Sequence, residues 1–164
     1  MLEYVLFRVL NMNFYELSEP EACKMALEEY KEFNNPVRQF MNEMCDKFVW
    51  DLLPFTFLYD LYKSWYLRNN PGGCHEGKQK FIAELLSILN DYPEWECDNK
   101  RKTIRSAHRM DGPELLIAEY GLRDWCDHRY TGNDLYILCC PNLKENYTGL
   151  TRVRCSSDDA DNTP

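Results

Sequence analysis

Five cations crowd one short stretch of an otherwise acidic chain: Lys100, Arg101, Lys102, Arg105 and Arg109. From Asp98 to Arg109 the net charge is +4 when His108 is neutral. Closely spaced ammonium and guanidinium groups neutralise phosphates and release counterions, so the chemistry on offer is contact with a nucleic-acid backbone. A solvated strand edge carries similar residues, because lysine there discourages aggregation. Charge context favours phosphate contact. The whole chain carries −8 with a pI near 4.9, yet the acidic excess is confined to the two ends. Residues 1–60 hold five basic against eleven acidic groups and residues 111–164 five against ten, whereas residues 61–110 hold nine against six.

A second candidate set, Lys78, Gln79 and Lys80, opens a helix predicted from about Glu76 to Leu89. Ile82, Leu85, Leu86 and Leu89 form its apolar side by helical spacing, with Glu76, Lys80, Ala83, Glu84 and Ser87 opposite. Short and polar side chains on the N-terminal half are what a recognition helix offers to a DNA groove. Glu76 and Glu84 repel phosphate, so the basic stretch after this helix is expected to carry most of the electrostatic contact.

Other chemistries lack their residues. No glycine-rich loop ends in Lys-Ser/Thr, and Pro71-Gly72-Gly73 has neither the spacing nor the lysine to cradle a nucleotide triphosphate. Cys74-His75, Cys126-Asp127-His128 and Cys139-Cys140 are metal-ligand types without a C-x-x-C pair, so buried thiols and surface imidazoles are preferred and no metal or cofactor is expected. Cys74 with His108 or His128 carries no nucleophile signature, and no carboxylate pair stands out as a dyad. No catalytic residue is assigned. The first ten residues have Glu3 and no basic region typical of a secretory leader, so the eight cysteines are read as reduced thiols. With no apolar run near the ~18 residues of a membrane span, the expected location is cytoplasmic, with no membrane partner.

These residues must be positioned by helices. Ser18 before Glu19-Pro20-Glu21 reads as a capping box that opens a charged connector helix to about Phe33. Asn34-Asn35-Pro36 closes it and starts a helix with Val37, Phe40, Met41, Met44 and Phe48 at three- and four-residue steps. Leu53-Pro54 interrupts, Thr56 is read as the next cap, and Leu58, Leu61, Tyr62 and Trp65 repeat the spacing. Asn69 to Gly73 is a strong turn. After the third helix, Trp95 to Arg105, split by Asp98-Asn99, reads as a hairpin with the cations on its tip and second arm. Asp111 to Tyr120 reads as a short helix, Leu135 to Leu143 as strand or helix, and Tyr147 to Val153 as a final strand. The tail Ser156–Pro164 is expected to be disordered.

ACKMALEEYKEFNNPVRQFMNE, PFTFLYDLYKSWY, GKQKFIAELLSIL and the run from KRKTIRSAHRMDGPELLIAEY to LKENYTGLTR resemble the C-terminal part of phage and plasmid primase-helicases of the poxvirus-like type. The resemblance implies a mainly α fold with a small β-hairpin wing, that is, a winged helix-turn-helix preceded by a helical linker. It implies four segments: residues 1–33 as the end of a helicase domain plus connector, 34–110 as the winged-helix domain, 111–154 as an extension packed on it, and 155–164 as the tail. The implied role is a DNA-binding module of a replication protein, engaging duplex or fork beside a superfamily 3 helicase domain or within a hexamer. The ATPase and primase motifs of that family are absent from the chain, so no enzymatic activity of its own is expected. A protein–protein adaptor that docks a helicase or other replication partner is the alternative.

Overall fold

The computed structural model describes residues 34–97 and 103–153, together with Cys23, Met25 and Tyr30. The chain divides into two units, Met1–Asn35 and Pro36–Pro164. In the first, Cys23, Met25 and Tyr30 are helical and exposed, and both the backbone N–H and the Nδ2 of Asn34 donate to the Tyr30 carbonyl at 3.0 and 2.9 Å. The rest of the predicted connector helix, the Leu2–Phe14 segment and the tail lie outside the described residues.

The second unit is mainly α with a small antiparallel β part. Its first helix, α1, spans Pro36–Met44 and buries Val37, Phe40, Met41 and Met44 of the predicted stripe, while Phe48, expected on the same helix, is buried but lies in extended backbone beyond its end. A three-residue strand, β1, Leu52–Pro54, leads directly into α2, Phe55–Asn69, which buries Leu58, Leu61, Tyr62 and Trp65 as expected. Thr56 is not the cap. The N-cap position falls two residues earlier, at Pro54, with no side-chain cap, and the Phe55 N–H donates to the Thr148 carbonyl instead. The turn that follows needs Gly72, whose φ of +85° lies in the left-handed region.

Helix α3 spans Lys78–Ile88, and its inward face is rotated from the predicted one. Phe81, Leu85 and Ile88 are buried, while Ile82, Leu86 and Leu89 are only half-buried at the edge of the core. The cause is aromatic packing. Phe81 stacks on Tyr62 at 4.6 Å between centroids and meets Phe40 edge-on at 6.1 Å, and Phe40 also contacts Trp65 at 5.6 Å. One ring of this size at the three-helix junction buries more apolar area than an aliphatic residue would, so it sets the helix rotation. Polar ties fasten the same junction: Trp65 Nε1 donates to Glu43 at 2.7 Å, and the Tyr92 hydroxyl donates to Asn42 Oδ1 at 2.6 Å.

The predicted hairpin is replaced by a different pairing. Strand β2, Trp95–Glu96, and strand β3, Ile104–Arg105, do not pair with each other. Beyond β3 come two short helices, α4, Leu116–Glu119, and α5, Leu135–Leu138, then β4, Asn146–Tyr147, and β5, Gly149–Arg152. β2 pairs antiparallel with β5 (Trp95 opposite Arg152), and β3 pairs antiparallel with β4 (Ile104 opposite Tyr147). Both arms therefore run along one returning segment, residues 146–152. β5 also pairs with β1, Leu52 opposite Thr151, and so is the central strand of the order β1-β5-β2.

Gly149 makes this approach possible. A Cβ there would lie 2.6 Å from the Leu53 carbonyl carbon and 2.8 Å from Pro54 Cα, closer than side-chain atoms pack. Pro54 in turn sits on an edge strand, where its missing N–H costs no ladder bond. Arg152 closes the sheet end: its guanidinium donates to the Phe48 carbonyl at 2.8 Å and lies 4.8 Å from the Trp95 ring centroid.

The segment between β3 and β4 is fastened by Glu114. This residue is fully buried, and its Oε2 accepts from the Val49 and Trp50 N–H groups at 2.9 and 3.3 Å. Trp50 Nε1 donates to the Gly112 carbonyl at 2.7 Å. Burial raises the Glu114 pKa, and the backbone donors work against that rise. The short helix expected from Asp111 to Tyr120 spans only Leu116–Glu119, so Glu114 precedes it. The Leu135–Leu143 ambiguity resolves in favour of helix for Leu135–Leu138, with the Asp134 side chain accepting from the Tyr136 N–H as its cap.

Candidate nucleic-acid interface

The turn between α2 and α3 leaves the first turn of α3 facing water. Lys78, Gln79 and Lys80 are all exposed, as are Ala83 and Ser87 further along the same side. No acidic residue occupies the first turn of α3, and Gly77 at its N-cap supplies no side-chain cap. Positive charge from the N-terminal amides and from Lys78 is thus left available to an anion.

The two lysines differ. Lys78 makes no ion pair among the described residues, whereas Lys80 Nζ is held by Glu76 on one side and lies 3.7 Å from Glu84 on the other. Burial first, and then the neighbouring Glu76 charge, raises the Glu84 pKa. The hydrogen bond to Glu76 raises that of Lys80. A lysine bracketed by two half-buried carboxylates offers little net charge to a phosphate, so of the three predicted contacts on α3 Lys78 and Gln79 are the better presented.

Arg105 and Arg109 sit on the other side of the ladder gap. Arg105, on β3, is exposed and stands 4.0 Å from Glu145, too far for a strong pair at the surface. Arg109 is half-buried, its backbone carbonyl accepts from the Asp51 N–H at 2.7 Å, and it borders an open hollow with Glu96 and Thr151. Lys100, Arg101 and Lys102 lie outside the described residues, between Cys97 and Thr103. Further cations that spacing did not single out are Lys63, Arg123 and Lys144, which meet along α2 only because the β3–β4 segment folds back on that helix. No sequence periodicity links them. Among the described residues no group of three His, Cys, Asp or Glu side chains could hold a metal ion, and no helix is long and apolar enough to cross a membrane.

The family described as Poxvirus D5 protein-like matches residues 32–114, just over half of the chain. The chain belongs to the poxvirus D5 protein-like family. The matched span takes in α1, β1, α2, α3, β2 and β3, including the residues Lys78 and Gln79 on α3, and it ends at Glu114. Membership in the D5 protein-like family fits a primase-helicase-related region with a replication-associated role. No curated protein and no solved structure matches the chain.

Proposed function

We propose that this member of the D5 protein-like family is a non-catalytic DNA-binding module of a replication primase-helicase, built as a winged helix whose wing is enlarged. The observation that carries the reading is the order helix, strand, helix, helix, strand from α1 to β2, with β5, which follows β3, α4, α5 and β4 in the chain, returning to lie between β1 and β2. This order supports the reading of a winged helix-turn-helix, in which α3 is the proposed recognition helix. The proposed wing comprises β2 and β3 with their partners β5 and β4, and Lys100, Arg101 and Lys102 lie between β2 and β3 in the sequence. Lys78, Gln79, Arg105 and Arg109 complete the proposed contact set, with Lys80 a weaker member. A superfamily 3 helicase domain or hexamer is the proposed setting, in which many weak modules act together.

Duplex or forked DNA should bind with a log–log salt slope of roughly −3 to −5, the value for about four or five neutralised phosphates. Replacing Lys100, Arg101 and Lys102 together with alanine should flatten it by about 2 to 3, measured by fluorescence anisotropy across a salt series. Absence of binding to duplex and fork at low salt would sink the proposal.

One observation favours an adaptor as the second reading. Leu135, Tyr136 and Ile137 on α5 are consecutive and 55%, 62% and 46% exposed, an apolar tip that a helicase or other replication protein could cover. Partner binding lost on Tyr136→Ser and indifferent to the triple alanine change would favour it.

A further inference from the structure

The segment between β3 and β4 also folds along α2. Trp125 Nε1 donates to Asp60 Oδ2 of α2 at 3.0 Å, and a cleft opens on either side of this contact. One cleft, about 430 Å³, is bordered by Lys63 of α2, by His75 from the turn before α3, and by Arg123. The other, about 280 Å³, is bordered by Lys144 and Tyr147. Asp60, Asp124 and Trp125 line both, so the two clefts form one groove of the size range of small-ligand sites.

Chemical character alternates along this groove. The exposed Arg123 supplies positive charge at one end, beside Lys63, which Asp60 holds, and exposed Lys144 supplies it at the other. Asp60 is engaged, accepting from Trp125 and pairing with Lys63 at 2.9 Å, whereas Asp124 is exposed and can accept from an amino group. Tyr147 presents a half-buried ring backed by Trp125, with centroids 6.0 Å apart and planes at 36°. Cations at the two ends, an aromatic ring between them and a carboxylate able to accept from exocyclic amines together suit an unpaired nucleotide. A duplex presents neither free base faces nor free Watson–Crick amino groups, so it cannot use the middle of the groove.

We propose that this groove is a second nucleic-acid site, specific for a short single-stranded segment, with Arg123 and Lys144 on phosphates and a base on Tyr147. The proposal rests on the reading of the chain as a DNA-binding module but assigns a different strand form to a different surface. It is tested on the full chain with a fluorescein-labelled 12-nucleotide single strand of mixed sequence and, separately, a duplex of the same sequence. The probe variant is Arg123→Ala/Lys144→Ala, both exposed positions, with circular dichroism confirming the fold; Tyr147→Leu is the second variant.

The expected result is a single-strand affinity reduced about fivefold or more by either variant, a single-strand salt slope shallower by about 1.4 in the double variant, and duplex affinity within twofold of the parent. Single-strand affinity within twofold of the parent in both variants, equal losses for single strand and duplex, or no single-strand binding by the parent at low salt would each overturn the groove. The duplex arm separates the two ideas. Duplex binding that survives failure of the groove leaves the winged-helix reading standing, and single-strand binding without duplex binding leaves the groove standing alone.

Discussion

The three helices and the strand-bearing half of the second unit are held together in opposite ways. From Pro36 to Ile88 the contacts repeat every three or four residues, and neighbouring helices close on one aromatic cluster of Phe40, Tyr62, Trp65 and Phe81. From Trp95 to Arg152 the decisive partners are distant in sequence: β5 meets β1 at Leu52 and Thr151, and buried Glu114 meets the amides of Val49 and Trp50. The helical half is defined by the size and spacing of apolar side chains. The other half is defined by a few single-residue fits, each of which one substitution can remove.

The contrast would be most severely tested at Phe81. Phe81→Ala should destabilise the protein by about 3–5 kcal/mol, read from denaturant unfolding, because it empties the junction of all three helices. A loss under 1 kcal/mol would mean the cluster does not organise that half. Gly149→Ala comes next. The added methyl forces β1 from β5 and should cost about 1–3 kcal/mol, with hydrogen exchange accelerating at Leu150 and Thr151 before it does in α2. Uniform acceleration across both halves would blur the distinction.

Glu114 gives a pH-dependent test of the same half. Its folded pKa is raised above the ordinary 4.5, chiefly by desolvation. Its contribution to stability is therefore fully present below pH about 4.5 and is lost as pH rises through the folded value. Glu114→Gln keeps an acceptor for Val49 and Trp50 but cannot ionise. Its melting temperature relative to the parent should become more favourable from pH 4 to pH 7, measured by differential scanning fluorimetry, and a pH-independent difference would contradict the shift. Glu84, whose pKa is also raised, is common to both proteins and cancels.

The smallest effect concerns α3 itself. Lys78→Ala should make the duplex salt slope shallower by about 0.9, whereas Lys80→Ala should change it by much less, because Glu76 and Glu84 already occupy that ammonium group. Equal changes would show that the carboxylate bracket does not mask Lys80.

The helical half was largely legible. The stripes of α1 and α2 were read residue by residue, since a period near 3.6 needs only local sequence, and the exposed first turn of α3 followed from the same count. The rotation of α3 was missed because Ile82, Leu86 and Leu89 satisfy the periodicity as well as Phe81, Leu85 and Ile88 do, and only the ring positions of Phe40 and Tyr62 choose between them. The basic run was visible as composition, but its setting was misread. Two short apolar arms separated by Asp98-Asn99 look like a hairpin, and nothing local reveals that both arms pair with residues 146–152.

By itself the sequence determined three amphipathic helices, the Asn69–Gly73 turn between the second and third, and the isolation of positive charge in residues 61–110, because each depends on composition or on residues within a few turns of one another. Tertiary structure alone decided that β5 lies between β1 and β2, that Glu114 is buried, and that Lys63, Arg123 and Lys144 border adjoining clefts. Those outcomes require residues up to about a hundred positions apart to meet, and no period or motif in the chain encodes the meeting.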